Sequence, residues 1–586
     1  MKETTRLNRR SFLAGIAAAS GAAILAACGG ETAPTVAPTV AARTGTTAAG
    51  AGTTAAGAGG TVSSGAGTTA ANTGMAVSTT AGNAAAGAGT TAAGAGMAVS
   101  TAAGNTAAGA GTTAANTGMA AGTTAAGAGT GASTAAATTG GTAAAAPAVR
   151  RLAATKLRVA QFGSAENGML TQRLLNDFKK VQPDVTVEVQ AIPAPDWDGF
   201  AAKLLTQIAG GDIPDVYIVA TEALQLFAGR KLISPITDLV MRDKAQLQEF
   251  FSDVHPALIE AMMYDGQLYS MPDNFNAANI FYSKGAFQKK GVPEPNDNWT
   301  KDDFLAAAPK LITRAGNRTT EYAYFWTNRM WGGALPWMFT NGSNVLTEEK
   351  FAGGESLWST FYPNDPAAKG RQGGIKWARA QANSPANVEA VQLLADMTQK
   401  LNAAPSPTEA DSSSSQIITT FANKQLAMYV GGGFLVRSLE QAGVKPDDYG
   451  VTFMPKWKGQ RHQFGTAGYV ISDRSPNKEA AWELLKWRIS KDVMAANFKD
   501  AASVRSRRSQ AQALFEGTYN FKGYKTFYDT LDKFPDTAPI PQPPQANAVT
   551  QIFTKYVGLA VLGEQPVQMA MDNMQRELTE ALNRPI

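Results

Sequence analysis

The chain has 586 residues, with 52 lysines and arginines against 47 aspartates and glutamates and a formal net charge of +5. The basic residues are dispersed, so the charge pattern argues against nucleic-acid binding. One cysteine excludes intrachain disulfides and thiolate clusters, and two distant histidines, His255 and His462, argue against a histidine metal site or a Ser-His-Asp triad; we therefore expect no metal and no cofactor.

The first predicted element is an export signal over residues 1–27. Arg9 and Arg10 precede a short apolar run that ends in Leu-Ala-Ala before Cys28. This arrangement is typical of exported proteins, and the run is too short for a lasting membrane-spanning helix. The arginine pair resembles a twin-arginine signal, with the Sec route as the alternative, and the end of the run resembles a bacterial lipobox. We predict that Cys28 is lipidated and anchors the protein to the outer face of the bacterial cell membrane.

The second predicted element is a tether over residues 28–150. Alanine, glycine, threonine, serine and asparagine dominate it, and no Phe, Tyr, Trp, Leu or Ile occurs between Cys28 and Arg150. Such a segment buries too little apolar surface to offset its conformational entropy, so we predict disorder. A repeat around Met75, Met97 and Met119 lacks large side chains to stack, so we interpret it as duplicated linker and not as a solenoid.

The third predicted element is a folded region over residues 151–586. Strand patterns at 157–162, 185–189 and 214–219 alternate with helical stripes, of which the first contains Leu170, Leu174, Phe178 and Val181. This alternation predicts an α/β fold with a parallel sheet covered on both faces. Ligands of such sheets bind at the carboxyl ends of the strands. We therefore predict that Ser164, Glu166, Thr221 and Glu222, which follow two of the strands, bind the ligand.

Several further segments resemble, in order, the extracellular solute-binding proteins of family 1, which serve ABC sugar importers and include maltose-binding proteins. The matching segments are Gly211–Val216, Asp265–Pro272, Ile280–Lys284, Asn298–Phe304, Phe421–Met428 with Gly432–Phe434, and Gly465–Ile471 with Ser475–Trp482. The resemblance covers essentially the whole folded region. Asn423 stands where the family often has glycine, and Phe434 stands where it often has a tryptophan that stacks on a sugar ring. Phenylalanine keeps the apolar surface but loses the indole N–H donor.

The resemblance implies a periplasmic-binding-protein-like fold of type II, in which two α/β lobes are joined by a hinge with a ligand cleft between them. It places the first lobe at about 151–273 and 468–505, and the second at about 277–465 and 508–586. The implied crossovers between the lobes lie at 273–276, 465–468 and around 503–507.

Candidate ligand-binding residues follow from strand ends, crossovers and aromatic side chains. Three tryptophans lie in one stretch without a helical stripe, and core packing is the alternative role for each of them. Carboxylates and amides at strand ends could bind hydroxyl groups or only cap local turns. By contrast, Trp299 precedes a capping box at Thr300 and Asp303, so we predict a structural role. The predicted ligand-binding residues are Ser164, Glu166, Thr221, Glu222, Asp273, Asn274, Trp326, Trp331, Trp337, Gly432, Gly433, Phe434, Thr466 and Arg505.

The function that the resemblance implies is that of a lipid-anchored, monomeric solute receptor, not an enzyme, that closes on a carbohydrate and passes it to an ABC permease. Its expected partners are a small solute, the transmembrane subunits of the permease, and the membrane through Cys28, with no nucleic acid. Two alternatives stay open, namely an exported carbohydrate-active enzyme and a surface sensory or adhesive lipoprotein on the same fold. No phosphate-binding Gly-x-x-x-x-Gly-Lys loop occurs, which argues against the ATPase subunit of an importer.

Overall fold

A computed structural model describes residues 151–406, 414–497, 504–513 and 523–586. The predicted export signal, the lipidation at Cys28 and the predicted tether lie outside the described residues. Among the helices that the structure does describe, none is both long enough and apolar enough to cross a membrane.

The strands are β1 Thr155–Phe162, β2 Val185–Ile192, β3 Val216–Ala220, β4 Ile233–Ser234, β5 Met263–Tyr264, β6 Gln267–Leu268, β7 Asn274–Ala277, β8 Asn279–Ser283, β9 Thr313–Ala315, β10 Arg318–Phe325, β11 Leu346–Lys350, β12 Ile375–Ala380, β13 Leu426–Gly431, β14 Tyr449–Thr452, β15 Gln463–Ser472, β16 Val504–Arg505 and β17 Ala538–Pro539. An irregular turn, with several residues outside helical geometry, lies at Met330–Ala334.

The helices are α1 Ala165–Asn176, α2 Trp197–Ala209, α3 Leu224–Gly229, α4 Thr237–Arg242, α5 Lys244–Ser252, α6 Pro256–Ala261, α7 Lys284–Lys290, α8 Lys301–Leu311, α9 Leu335–Thr340, α10 Glu355–Phe361, α11 Pro385–Gln399, α12 Ser414–Ala422, α13 Phe434–Gln441, α14 Lys478–Arg488, α15 Lys491–Asn497, α16 Arg508–Ala513, α17 Tyr524–Lys533, α18 Ala546–Leu562 and α19 Val567–Leu582. Short 3₁₀ turns lie at Asp177–Lys180, Pro366–Ala368 and Pro446–Asp448.

The first sheet has the strand order β16-β7-β15-β3-β1-β2, and β4 and β17 also pair with β15. Strands β1, β2 and β3 pair in parallel, as the alternation of strands and helices predicts. The sheet is nevertheless mixed, because β15 runs antiparallel to both β3 and β7. We call the body built on this sheet the first lobe.

The second sheet has the order β9-β10-β13-β8-β14 and forms the base of the second lobe. Side chains alternate between its faces, so Ile280 and Met428 lie in one buried apolar cluster while the adjacent Phe281 and Tyr429 lie in the other. One of these clusters continues into the core of the first lobe. The other fills the second lobe beneath α11, α18 and α19.

The strand register locates two connections between the sheets. The chain leaves the first sheet at the end of β7 and enters the second at β8, one residue later. It returns between Thr452 and Gln463, and β15 then belongs to the first sheet over its whole length. The predicted crossover at 465–468 therefore falls inside β15, because the pairing of residues 464–467 with β7 begins before that point.

Two predictions about helices have different outcomes. Trp299 is buried, its indole nitrogen donates to the Phe453 carbonyl at 2.9 Å, and the capping box of Thr300 and Asp303 begins α8, so its structural role is confirmed. The predicted stripe in α1 is partly wrong, because Leu170 and Val181 are exposed. The helix instead turns Gly168, Thr171 and Leu175 inward, since a Cβ at Gly168 would lie only 2.7 Å from the Ala191 Cβ of β2.

Candidate functional site

The first wall of the candidate site lies at the carboxyl ends of β1 and β3 and on the adjoining part of β15. Thr221 follows β3, and its backbone N–H donates to the Thr466 carbonyl at 2.9 Å. The Thr221 hydroxyl donates to Glu222 Oε2 at 3.1 Å, and the Thr466 hydroxyl donates to the Asn274 carbonyl at 2.6 Å. The structure thus brings together four predicted site residues, Thr221, Glu222, Asn274 and Thr466, on one connected edge.

A second group on this wall comes from the end of β2, and its residues are not among the predicted site residues. Asp196 caps α2 by accepting the Gly199 N–H at 2.8 Å, and Trp197 begins that helix. The Trp197 ring packs on Phe162 at the end of β1, with 4.6 Å between the ring centres. The signal was available, because the carboxyl-end argument that selected Thr221 applies equally to the residues after β2.

The opposite wall is the irregular turn between β10 and α9 in the second lobe. Gly332 has a φ of +71°, and a Cβ at Gly333 would lie 2.4 Å from the Thr327 carbonyl, so this turn depends on two glycines. The Gly332 N–H donates to Gln463 Oε1 at 2.9 Å, which ties the turn to the start of β15. Arg329 and Trp331 project from this turn.

Trp331 joins the two walls. A Cβ at Gly465 would lie 3.0 Å from Trp331 Nε1 and 3.6 Å from Thr221 Oγ1, so the missing side chain at Gly465 lets the indole approach β15. The Arg329 guanidinium lies 5.6 Å from the Trp331 ring centre, and the centres of the Trp331 and Phe434 rings lie 5.5 Å apart. Trp331 and Phe434 therefore form an aromatic pair in the second lobe that faces the strand ends of the first.

The charges of the site lie on both walls. Burial, assisted by the nearby Asp198 carboxylate, raises the pKa of Glu222 to about 7. Burial and the neighbouring Asp196 raise the pKa of Asp198 to about 6. Burial lowers the pKa of the Arg329 guanidinium, and the carboxylates of Asp196 and Glu222 partly offset this effect. Arg329 Nε is buried and has no hydrogen-bond partner among the described residues.

Two glycines among the predicted ligand-binding residues, Gly432 and Gly433, pack closely against other residues of the protein. A Cβ at Gly432 would lie 2.9 Å from the Phe434 ring, and one at Gly433 would lie 2.7 Å from a methyl group of Val504. The Phe434 N–H donates to Asn276 Oδ1 at 3.3 Å, so this segment is bonded to β7 at the connection between the sheets. The glycines therefore allow the start of α13 to pack closely against the first sheet.

Other predicted residues lie apart from this group. Trp337 is fully buried in the second lobe, where its indole nitrogen donates to the Tyr324 hydroxyl at 3.0 Å, and Trp326 lies in the same core cluster. Ser164 and Glu166 are exposed at the start of α1, where Ser164 caps the helix by accepting the Asn167 N–H at 3.3 Å. Of the three tryptophans, only Trp331 contacts the strand ends of the first lobe.

Asp273 and Arg505 are buried within the first lobe. Asp273 forms an ion pair with Arg488 at 3.3 Å, and the Arg488 guanidinium packs over Tyr469 at 4.2 Å from the ring centre. The Tyr469 hydroxyl donates to Gln161, which precedes the last residue of β1. Arg505 pairs in register with Asn274 in the sheet. These side chains stabilise the strands behind the cleft.

Neither histidine lies in the site. His462 accepts the Met454 N–H at 3.0 Å, His255 caps α6, and burial lowers the pKa of each to about 3. Within the part of the chain that the structure describes, no group of three or more His, Cys, Asp or Glu side chains is arranged to hold a metal ion.

The raised pKa of Glu222 predicts a pH dependence of stability. The unfolded chain loses the proton near 4.5 but the folded chain keeps it to about 7, so the free energy of unfolding should fall as pH rises through this window. From pH 5 to pH 8 the free energy of unfolding of the unmodified chain should fall by about 3 kcal/mol more than that of Glu222→Gln. Urea unfolding at both pH values measures this difference. Glu166→Gln, at an exposed carboxylate, is the control, and identical pH slopes for all three proteins would contradict the expectation.

Comparison with known proteins places this arrangement in context. The model of the family "Bacterial extracellular solute-binding protein" matches residues 163–495. A relative from Brucella abortus, named only as a binding protein, is 25% identical over 342 residues, which are 58% of this chain and 73% of the relative.

Two solved structures have the same architecture. An ABC substrate-binding protein from Listeria monocytogenes, in complex with cycloalternan, has a TM-score of 0.59 at 23% identity and covers 73% of this chain and 99% of its own. A solute-binding protein from Thermotoga lettingae, bound with alpha-D-tagatose, has a TM-score of 0.58 at 21% identity and covers 73% of this chain and 100% of its own. The predicted fold, a two-lobed α/β fold of the type II periplasmic binding proteins, is confirmed.

Proposed function

The chain belongs to the bacterial extracellular solute-binding proteins, and from this premise we propose that it captures a sugar or oligosaccharide between its lobes for an ABC importer. The observation that carries the proposal is the close approach of Trp331, from the second lobe, to Gly465 of the first lobe, which lies next to Thr221. Aromatic rings pack on the C–H faces of a sugar, and carboxylates and guanidinium groups bind its hydroxyls. In this cleft the first lobe supplies the carboxylates, and the second lobe supplies the aromatic rings and the guanidinium group.

The chemistry of the cleft favours a polar, uncharged solute. Asp198 and Glu222 both have a raised pKa, so each gains from a hydroxyl that donates to its carboxylate. Arg329 offers a buried N–H donor without a partner among the described residues. The tagatose of the Thermotoga lettingae structure and the cycloalternan of the Listeria monocytogenes structure support the carbohydrate class.

The proposed mechanism is binding with domain closure and no covalent step. The solute binds the strand ends of the first lobe, and Trp331, Arg329 and Phe434 close on it from the second. A ligand shifts the equilibrium between open and closed forms only by its difference in affinity for the two. Groups contributed by both lobes provide this difference, because they surround the solute only when the lobes meet.

The proposed location is the outer face of the cell membrane. The Leu-Ala-Ala-Cys sequence at 25–28 supports lipidation of Cys28, and the segment at 28–150 would let the folded region extend away from the membrane that holds the permease.

An exported carbohydrate-active enzyme is the second candidate, and one observation favours it. Glu222 and Asp198 are two carboxylates with raised pKa values at the edge of the cleft, and the Asp198 carboxylate contributes to the raised pKa of Glu222. Paired carboxylates with different protonation states are the machinery of glycoside hydrolysis.

A ligand screen separates these functions. We expect a matching saccharide, at about one hundred times its Kd, to raise the free energy of unfolding of the whole chain by about 2.7 kcal/mol. Thermal unfolding against mono- and oligosaccharides detects this gain. Chromatography of the sugar after prolonged incubation should recover it unchanged, whereas steady turnover would favour the enzyme. No stabilisation by any saccharide would overturn the carbohydrate assignment.

A further inference from the structure

A segment of the second lobe extends onto the first lobe. Residues 346–380, which we call the strap, comprise β11, α10 and β12. The two strands pair antiparallel with each other and with neither main sheet. The strap is therefore not part of either main sheet or of the connections between them.

The strap packs on α5 and α6 of the first lobe through aromatic contacts. The ring of Phe361 stacks on Phe251 with 4.0 Å between ring centres and 23° between planes. The Tyr362 hydroxyl donates to the Val254 carbonyl at 3.0 Å. These side chains are all buried, so the contact resembles a packed core and not a loose surface approach.

A buried carboxylate anchors the strap at a second point. Glu260 of α6 is 1% exposed and binds Arg371 Nη1 and Lys350 Nζ, each at 2.6 Å. The Gln372 N–H also donates to this carboxylate, at 3.2 Å. Two cations and one backbone donor from the strap thus converge on one acid of the first lobe, which fixes the position of the strap relative to that lobe.

The strap also reaches the cleft. Gln225, in the first turn of α3 after Glu222, donates its amide to the Ile375 carbonyl at 2.7 Å. Thr221, Gln225, Ile375 and Trp377 line a shared void of about 10 Å³. A cavity needs roughly 10–15 Å³ to hold even one water, so a sugar ring does not fit between the strap and Thr221.

We infer that the strap ends the cleft at Thr221 and thereby limits the length of the saccharide that binds. The inference rests on the proposed function. A linear oligosaccharide continuing past Thr221 would have to displace Ile375 and Trp377, which the Glu260 anchor and the Phe251 contact hold in place. The strap therefore selects short saccharides, or chain ends, over the interior of long chains.

The test is a pool of linear oligosaccharides, from monosaccharides to hexasaccharides of several linkage types, incubated with the whole chain. The retained sugars are recovered after gel filtration and sized by mass spectrometry. We expect the unmodified chain to retain the short members, and Trp377→Ala to raise the retained share of trisaccharides and longer chains by about tenfold, the effect of about 1.4 kcal/mol.

Trp457→Ala is the control. Trp457 is a half-buried tryptophan of the second lobe outside the strap, and Lys301 Nζ lies 5.4 Å from the centre of its ring. We expect this variant to keep the size profile of the unmodified chain. Long and short chains retained equally by the unmodified protein, or the same shift in both variants, would overturn the inference and leave the proposed function standing. Retention of no saccharide at all would instead overturn the proposed function.

Discussion

Replacing Glu260 with alanine is expected to lower the free energy of unfolding by about 3 to 5 kcal/mol. The carboxylate is 1% exposed and binds Arg371, which is 11% exposed, and Lys350, which is 36% exposed. Removing it leaves two cations near a protein interior without the charge that compensates them, and their desolvation is no longer offset. Urea unfolding at neutral pH measures the difference.

The control for this expectation is an ion pair within one lobe. Glu389 binds Lys458 at 2.8 Å, and their side chains are 49% and 53% exposed, so Glu389→Ala should cost less than about 1 kcal/mol. Equal costs for the two variants would mean that the Glu260 cluster contributes no more than a surface pair. The Glu260 variant should also unfold less cooperatively, because the strap is one of the contacts that couple the two lobes.

Replacing Trp331 with alanine is expected to weaken saccharide binding by about 2 kcal/mol, roughly a 30-fold rise in Kd. Trp331 contacts both β15 and Phe434, and its side chain is half-buried. A large ring that becomes buried on binding is typical of the residues that dominate an interface. Titration calorimetry with a saccharide recovered from the pool measures the change.

Two further variants make this result specific. Trp457 is also a half-buried tryptophan of the second lobe but lies beneath Lys301, away from the cleft, so Trp457→Ala should leave Kd unchanged. Trp331→Phe should retain part of the affinity, because it keeps an aromatic face and loses the indole N–H. An unchanged Kd for Trp331→Ala would show that the indole does not contribute to binding, and a lower Kd would show that it obstructs the cleft.

Sequence patterns predicted the features that depend on residues close together in the chain, such as strands and helix caps. Alternation of apolar residues predicted β1 and β2, a nearly all-apolar run predicted β3, and the capping box predicted the start of α8. The carboxyl-end argument located Thr221 and Glu222. Asp196 and Asp198 follow the end of β2 and fit the same pattern, but they are not among the predicted site residues.

Long-range features could not be predicted in this way. The predicted roles of Trp326, Trp331 and Trp337 came from one undifferentiated aromatic stretch, yet two glycines turn Trp331 toward the cleft while Trp337 packs on Phe304 in the core. The strap depends on contacts such as Arg371 with Glu260, which lie far apart in the chain, and nothing in the composition of either segment indicates the other. Charge pairing of this kind becomes visible only in three dimensions.

The central position of β15 has a consequence for the order in which the chain can fold during synthesis. This strand separates β3 from β7 in the first sheet, yet it is made more than two hundred positions after β3. Until it emerges from the ribosome, the facing edges of β3 and β7 have no partner, and unpaired edges of this kind promote association between nascent chains. The N-terminal half cannot mature as an independent unit, so the cell must protect an unfinished sheet until nearly the whole polypeptide exists.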